Sequence, residues 1–150
     1  MDEKARILII DDDENIREAL KAILEDEGYN VDMAGTAKEA LEKTAKAFYN
    51  ILLIDIKLPD MEGIDLLPKI KDTTPKMRKI IVTGYPTLNN AIEAVNRGAD
   101  AYIVKPFDVE KVLATIKEQL KKQKEEREYG EKKVAEFIET RIKELEAEES

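Results

Sequence analysis

Side chains able to bind a metal ion and a phosphoryl group directly follow four apolar runs of the chain. Asp55 follows one run and is flanked by aliphatic residues, where a carboxylate is costly unless it is paired, hydrated or metal-bound. Asp11 and Asp12 follow a second run. Thr83 follows a third, and Lys105 a fourth. The runs cover residues 7–10, 51–54, 80–82 and 101–104. If these runs are parallel strands, all the polar groups meet at one edge of a sheet.

Such a group of carboxylates predicts a magnesium site. Carboxylates brought together from two strand ends repel each other and raise one another's pKa unless a cation neutralises them. A cluster that offers oxygen and neither nitrogen nor sulfur suits Mg²⁺. We therefore predict that Asp11, Asp12 and Asp55 contribute to a Mg²⁺ site. The next residue, Asp13, is better explained as the N-cap of the following helix.

The same residues predict phosphoryl transfer onto a carboxylate. With Mg²⁺ present, Asp55 is a plausible nucleophile that forms an acyl phosphate. Lys105 supplies a cation for the phosphoryl oxygens and Thr83 a hydroxyl donor. Taken singly, a lysine after a strand commonly extends into solvent, and a threonine in a strand reflects β propensity. The specific signal is the combination of these groups at strand ends.

Composition excludes several other classes of function. The chain of 150 residues contains neither histidine nor cysteine, which rules out imidazole metal sites, histidine bases and thiolate chemistry. Its net charge of −8 argues against direct binding of nucleic acid, which requires a basic surface. No apolar run approaches the roughly 20 residues of a membrane span. We expect a cytoplasmic protein that does not enter membranes.

Strand and helix patterns alternate along the chain. The predicted strands cover residues 6–10, 29–33, 51–54, 79–82 and 101–104. The predicted helices cover residues 14–27, a segment after Thr36, residues 64–71, a segment from Pro86 to Arg97, and a segment after Asp108. This alternation predicts an α/β fold with a parallel sheet covered on both faces. The second strand is short and polar, so we place it at an edge.

The composition changes beyond residue 120. Residues 121–133 are almost entirely charged or amide-bearing, and apolar residues then return at helical spacing: Val134, Phe137, Ile138, Ile142 and Leu145. We predict one domain over residues 1–120 and a charged helical extension over residues 121–150. Two interpretations of the extension stay open. Either its apolar stripe folds back on the domain, or the segment is a coiled coil, a dimer contact or a linker.

The combined motifs resemble the response regulator receiver domains of two-component signalling, which are CheY-like in fold. The resemblance covers about residues 5–120, and the matching segments are ILIIDD at 7–12, LIDIKLPDMEG at 53–63, VTG at 82–84 and YIVKPF at 102–107. It implies a flavodoxin-like, five-stranded parallel sheet of order 2-1-3-4-5.

The resemblance also implies a role for each acidic residue. Asp55 would be the phosphoacceptor and would receive its phosphoryl group from a sensor histidine kinase. Asp12 and Asp55 would ligate Mg²⁺ together with the backbone carbonyl of Lys57. Asp11 would act mainly through water or the phosphate. The chain would catalyse its own phosphotransfer and dephosphorylation, without being an enzyme that turns over a separate substrate.

A signalling switch is implied as well. Thr83 and Lys105 would bind the phosphoryl oxygens, and Tyr102 would move with Thr83. The surface formed by helix four, strand five and helix five would then change, controlling an unknown downstream protein or output domain, or a phosphorylation-dependent homodimer. The peptide bond between Lys105 and Pro106 is expected to be cis.

Three rival functions are weaker. A haloacid-dehalogenase-type phosphatase also uses a strand-end aspartate. Its nucleophile follows the first strand, a second Asp lies two residues later, and a Thr commonly follows that Asp. Here Glu14 follows Asp13. A receiver degraded to a binding scaffold would lack key residues that are intact in this chain. A flavin or dinucleotide site would need a glycine-rich loop after the first strand.

Overall fold

A computed structural model describes residues 4–149 and contains one sheet of five parallel strands. The strands are β1 (Arg6–Ile10), β2 (Asn30–Ala34), β3 (Ile51–Ile54), β4 (Arg78–Thr83) and β5 (Ala101–Val104). Their order across the sheet is β2-β1-β3-β4-β5, and every neighbouring pair is parallel. The predicted fold class, strand order and edge position of the second strand are confirmed.

Five helices connect and cover the strands. They are α1 (Glu14–Asp26), α2 (Ala37–Lys46), α3 (Gly63–Leu66), α4 (Leu88–Asn96) and α5 (Val109–Glu149). The third helix is shorter than the predicted 64–71, because it changes to a 3₁₀ turn at Leu67–Lys69. Pro68 accounts for the change, since proline lacks the N–H of a regular helical turn and its ring clashes with the preceding turn.

Local sequence signals define the helix ends as predicted. The Asp13 side chain accepts hydrogen bonds from two backbone amides of the first turn of α1, which confirms that it is an N-cap. Thr36 caps α2 by accepting from the amide of Glu39 at 3.1 Å. Gly28 and Gly98 follow α1 and α4 with φ angles of 94° and 105°, a conformation that glycine adopts without steric cost.

The core lies in two layers, one on each face of the sheet. Successive strand residues point to opposite faces, so the strands supply both layers and read as continuous apolar runs. One layer packs against α2, α3 and α4, and its strand residues include Leu8, Leu52, Ile54 and Ile81. The other packs against α1 and α5, and its strand residues include Ile7, Ile9, Leu53 and Ile80.

The last helix continues without interruption past residue 120. Gln123 is buried, and its amide nitrogen donates to the backbone carbonyls of Asn50 at 3.0 Å and Lys76 at 2.7 Å. Glu126 forms an ion pair with Arg78 at 3.0 Å. The domain boundary at residue 120 stays a prediction, and it falls within this continuous helix. None of the helices between residues 4 and 149 combines the length and apolarity that a membrane span requires.

An edge-strand contact has a measurable pH dependence. The buried Tyr49 hydroxyl donates to Asp32 Oδ2 at 2.8 Å, and Lys43 Nζ lies 3.0 Å from Asp32 Oδ1. Burial, together with the hydrogen bond to Asp32, raises the pKa of Tyr49 from 10.0 to about 12. Burial also acts to raise the pKa of Asp32, but the hydrogen bonds from Tyr49 and Lys43 outweigh it and lower that pKa.

We expect Tyr49→Phe to lower the free energy of unfolding by roughly 1–2 kcal/mol at neutral pH, because Asp32 loses a donor. The pKa of the phenol is higher in the folded state, so its contribution is complete below pH 10.0 and is lost as pH rises towards about 12. Urea titrations of both proteins should therefore converge at alkaline pH. A difference that stays constant with pH would contradict this assignment.

Candidate functional site

The predicted acidic residues do come together at the carboxyl edge of the sheet. Asp11 and Asp12 directly follow β1, and Asp55 directly follows the neighbouring β3. Carboxylate oxygens of these three residues lie within 4.8 Å of one another. Asp11 and Asp55 are buried, whereas Asp12 is exposed. The cluster is therefore open to solvent on one side.

Lys105 extends from the end of β5 into this cluster. Its Nζ lies 2.8 Å from Asp11 Oδ2 and 3.4 Å from Asp55 Oδ2. Its backbone amide donates to the Thr83 carbonyl at 2.7 Å, which aligns the ends of β4 and β5. The peptide bond between Lys105 and Pro106 is cis, as expected from the family resemblance. One ammonium group thus contacts two of the three carboxylates.

The charges in the cluster do not balance. Burial raises the pKa of Asp55, and the charge of Asp11 raises it further, although Lys105 opposes both effects. Burial acts to lower the pKa of Lys105, but its contacts with Asp11 and Asp55 outweigh burial and raise it. The lysine is therefore protonated at neutral pH, and its single positive charge contacts two of the three carboxylates. A further cation would offset the remaining negative charge.

The donor atoms fit a hard divalent cation. Mg²⁺ prefers oxygen ligands and binds through one or two carboxylates while keeping several waters. Asp11, Asp12 and Asp55 offer oxygens at short mutual distances, and the exposed position of Asp12 leaves space for water. The acidic pocket can therefore hold a metal ion. The backbone carbonyl of Lys57 as a further ligand stays a prediction.

Gly63 lets the loop after β3 curl tightly against Asp55. A Cβ atom at residue 63 would lie 2.1 Å from the Asp55 carbonyl oxygen and 2.9 Å from Ile54 Cγ2. The Gly63 amide donates to the Ile56 carbonyl at 2.6 Å, and the Lys57 amide donates to Asp55 Oδ1 at 3.3 Å. From sequence, Gly63 indicated only a turn. In the structure, its missing side chain permits the backbone contact that shapes the loop.

Asp60 anchors the same loop to α2, a role that the sequence did not reveal. Its two carboxylate oxygens accept from the backbone amides of Ala37 and Lys38, each at 2.9 Å. These hydrogen bonds hold the pKa of Asp60 below its ordinary value. From sequence, the Pro59-Asp60 pair predicted only a turn. Its actual partners lie more than twenty residues earlier, so local pattern could not identify them.

The predicted switch residues occupy neighbouring strands. Thr83 is buried, and its Oγ1 accepts from the Tyr85 amide at 3.0 Å, a bond that does not use the hydroxyl proton. Tyr102 is partly buried, and within residues 4–149 its hydroxyl oxygen is buried without a hydrogen-bond partner. Burial raises the pKa of Tyr102. The roles of Thr83 and Tyr102 in switching stay predictions.

Two exposed side chains connect the loops that follow β3 and β4. Lys57 Nζ lies 4.5 Å from the centre of the Tyr85 ring, within range of a cation–π contact. Lys57 is two residues after Asp55, and Tyr85 is two residues after Thr83. Neither side chain was singled out from sequence, because the contact requires loops that are distant in the chain.

We expect Gly63→Ala to lower the free energy of unfolding by roughly 1–3 kcal/mol, because the added methyl group overlaps the Asp55 carbonyl. The matched control is Gly130→Ala. A Cβ there meets nothing within 4 Å, and alanine favours the α5 helix, so the control should be neutral or stabilising. Chemical denaturation measures both changes. Equal stability of Gly63→Ala and wild type would show that the loop relaxes without cost.

Comparison with known proteins shows the family and similar solved structures. The family model described as "Response regulator receiver domain" matches residues 7–117. Among solved structures, a CheY-like receiver domain protein from Methanospirillum hungatei JF-1 is 51% identical, with a TM-score of 0.79. The match covers 83% of this chain and 99% of that chain. The beryllofluoride-activated NtrC4 receiver domain dimer is 37% identical, with a TM-score of 0.74, over 79% of this chain and 98% of the other.

Curated relatives are longer than this chain. The transcriptional regulatory protein ZraR of Escherichia coli (strain K12) is 35% identical over 114 residues, which are 76% of this chain and 26% of ZraR. The response regulator ArlR of Staphylococcus saprophyticus is 37% identical over 120 residues, covering 79% of this chain and 53% of ArlR. The chain thus spans about a quarter to a half of these relatives. It belongs to the response regulator receiver domains of two-component signalling.

Proposed function

We propose that Asp55 accepts a phosphoryl group from a partner histidine kinase in a Mg²⁺-dependent reaction. The observation that carries this proposal is the buried Asp55 carboxylate, which lies among Asp11, Asp12 and the Lys105 ammonium. The chain contains no histidine, so a phosphohistidine donor must belong to another molecule.

The transfer exchanges one bond to phosphorus for another. An Asp55 carboxylate oxygen attacks phosphorus, a P–O bond forms, the P–N bond to the donor histidine breaks, and the imidazole nitrogen takes up a proton. The side chains of Asp12 and Asp55 and the carbonyl of Lys57 would hold Mg²⁺, with Asp11 acting through water or the phosphate. When bound, the ion supplies positive charge near the non-bridging oxygens. Hydrolysis of the acyl phosphate would return Asp55 to its starting state.

Lys105 and Thr83 would recognise the transferred group. Lys105 already contacts the oxygen of Asp55 at 3.4 Å, so a short movement would bring its ammonium onto a phosphoryl oxygen. Thr83 is buried with a proton available for donation. The group adds roughly −1.5 to −2 charges and three acceptor oxygens. The added charge would attract the Lys105 ammonium, and the oxygens would accept a hydrogen bond from Thr83, so both side chains would move inward.

The proposed output is a change on the surface made by α4, β5 and α5. This surface already exposes apolar side chains: Leu88, Ile92, Val95 and Val104. Tyr102 on β5 would follow Thr83 inward and shift the population between two arrangements of the surface. The similar NtrC4 receiver domain is a dimer when it is activated by beryllofluoride, which supports a phosphorylation-dependent homodimer here.

The receiver would comprise residues 1–120, and residues 121–150 would form its helical extension.

We expect Asp55→Asn to abolish labelling by acetyl phosphate in the presence of Mg²⁺, because the amide cannot form the acyl phosphate. Chelation of Mg²⁺ should abolish labelling of the wild type as well. Asp13→Asn is the matched control, because asparagine is an equally good N-cap and the side chain of residue 13 is not one of the three in the cluster. Intact-protein mass spectrometry measures the added phosphoryl group. Labelling of Asp55→Asn at full stoichiometry would refute the assignment.

We expect Lys105→Ala to uncouple phosphorylation from self-association, because no cation then draws the ends of β4 and β5 towards the phosphoryl group. Light scattering with and without beryllofluoride measures the change in mass. Lys38→Ala, on the exposed surface of α2, is the control and should respond like the wild type. A Lys105→Ala protein whose mass still changes as in the wild type would contradict this role.

A further inference from the structure

A cavity of about 450 Å³ lies at the amino ends of β4 and β5. Its lining comes from the segment 67–79, which includes the 3₁₀ turn, and from the segment 95–100 after α4. The acidic cluster lies at the carboxyl ends of the strands, so the two sites are separate. Pockets that hold small molecules have volumes of roughly 300–1,000 Å³. The cavity is therefore large enough for a small ligand.

The charge of this lining is opposite in sign to that of the whole chain. Among residues 4–149, four basic and two acidic side chains line the cavity, whereas the chain has a net charge of −8. The basic residues are Lys71, Lys76, Lys79 and Arg97, and the acidic residues are Asp72 and Asp100. A concave surface with an excess of positive charge attracts anions.

Ion pairs with residues outside the lining do not change this excess. Arg97 Nη1 lies 2.8 Å from Asp65 Oδ1, and Asp100 Oδ1 lies 3.5 Å from Arg78 Nη1. Neither Asp65 nor Arg78 lines the cavity. One basic and one acidic residue of the lining are thus balanced from outside, which leaves three lysines and Asp72. The lining keeps more positive than negative charge.

Lys79 is partly buried in this cavity without a carboxylate partner. Its Nζ donates to the Leu67 backbone carbonyl at 3.2 Å, and an ammonium group has two further protons to donate. None of the ion pairs within residues 4–149 includes Lys79. Burial lowers the pKa of Lys79, and the charge of Lys76 acts in the same direction, although Asp100 and Asp72 oppose them. A bound anion would offset the cost of this partly buried charge.

We propose that this cavity binds a small molecule through a phosphate group. A phosphate monoester carries roughly −1.5 to −2 charges and three acceptor oxygens, which suits a lining that has several ammonium groups. Lysine binds phosphate as a point charge, whereas a carboxylate ligand would bring only one negative charge. Leu67, Ile70 and Met77 add apolar atoms to the lining, against which the rest of the molecule can pack.

The first test is isothermal titration calorimetry of the full-length chain with pyrophosphate, inorganic phosphate and acetate. The three anions are compared at equal ionic strength in buffer stripped of divalent cations, so that no metal ion draws them to the acidic cluster. Pyrophosphate should bind most tightly and acetate most weakly. Acetate that binds as tightly as phosphate would overturn the choice of ligand. If neither phosphate probe binds at millimolar concentration, the site itself is overturned.

The second test compares three variants that each remove one positive charge. Lys79→Gln should weaken binding of pyrophosphate by about tenfold or more, because a charge-assisted hydrogen bond is lost. Lys76→Gln should weaken it as well, and residue 76 is exposed, so the fold should not change. Lys117→Gln, on the exposed surface of α5 and outside the lining, is the matched control and should bind like the wild type. Unchanged affinity in both Lys79→Gln and Lys76→Gln, or an equal loss in Lys117→Gln, would overturn the inference.

The third test locates the bound anion by NMR. In a titration with pyrophosphate, the backbone amide signals of residues 71–79 and 97–100 should shift. Shifts confined to the surroundings of Asp11, Asp55 and Lys105 would place the anion in the acidic cluster and overturn the inference. All three tests use unphosphorylated protein without Mg²⁺, so failure of the Asp55 proposal would not affect them.

Discussion

The contact between the Lys105 ammonium and the Asp11 and Asp55 carboxylates is the interaction around which the site is arranged. It exists because β1, β3 and β5 are parallel and end at the same edge of the sheet, so residues nearly a hundred positions apart lie 2.8 Å from each other. A single lysine cannot balance three acidic groups, and the burial of Asp55 makes the remaining negative charge more costly. The same imbalance that destabilises the pocket makes it able to hold a divalent cation.

The carboxyl ends and the amino ends of the strands have different structural roles. At the carboxyl edge, Gly63 and Asp60 hold the loop after β3 in a fixed shape around Asp55, one by close approach and the other through two amides of α2. At the amino edge, Gln123 and Glu126 fasten α5 to the residues around the starts of β3 and β4. Strand β4 joins these two regions, because it begins at Arg78 and ends at Thr83.

Sequence reasoning succeeded where an interaction is local or repeats with a fixed period. The N-cap roles of Asp13 and Thr36 follow from their own side-chain chemistry, and the buried strands follow from continuous apolar runs. It was less accurate for the third helix, where Pro68 ended the regular hydrogen bonding earlier than the apolar pattern indicated. It did not find the Asp60 contacts or the Lys57–Tyr85 contact, because each depends on a loop conformation that residue types alone do not specify.

Residue types and their order were enough to determine which groups could do chemistry, that the strands are parallel and that their polar ends share one edge. This follows because alternating strands and helices have few ways to bury their apolar faces. Only the tertiary structure decided the distances within the acidic cluster, the close approach at Gly63 and the path of α5 beyond the sheet. Those features arise from packing between segments far apart in the chain, and each is the outcome of many contacts that must be satisfied together.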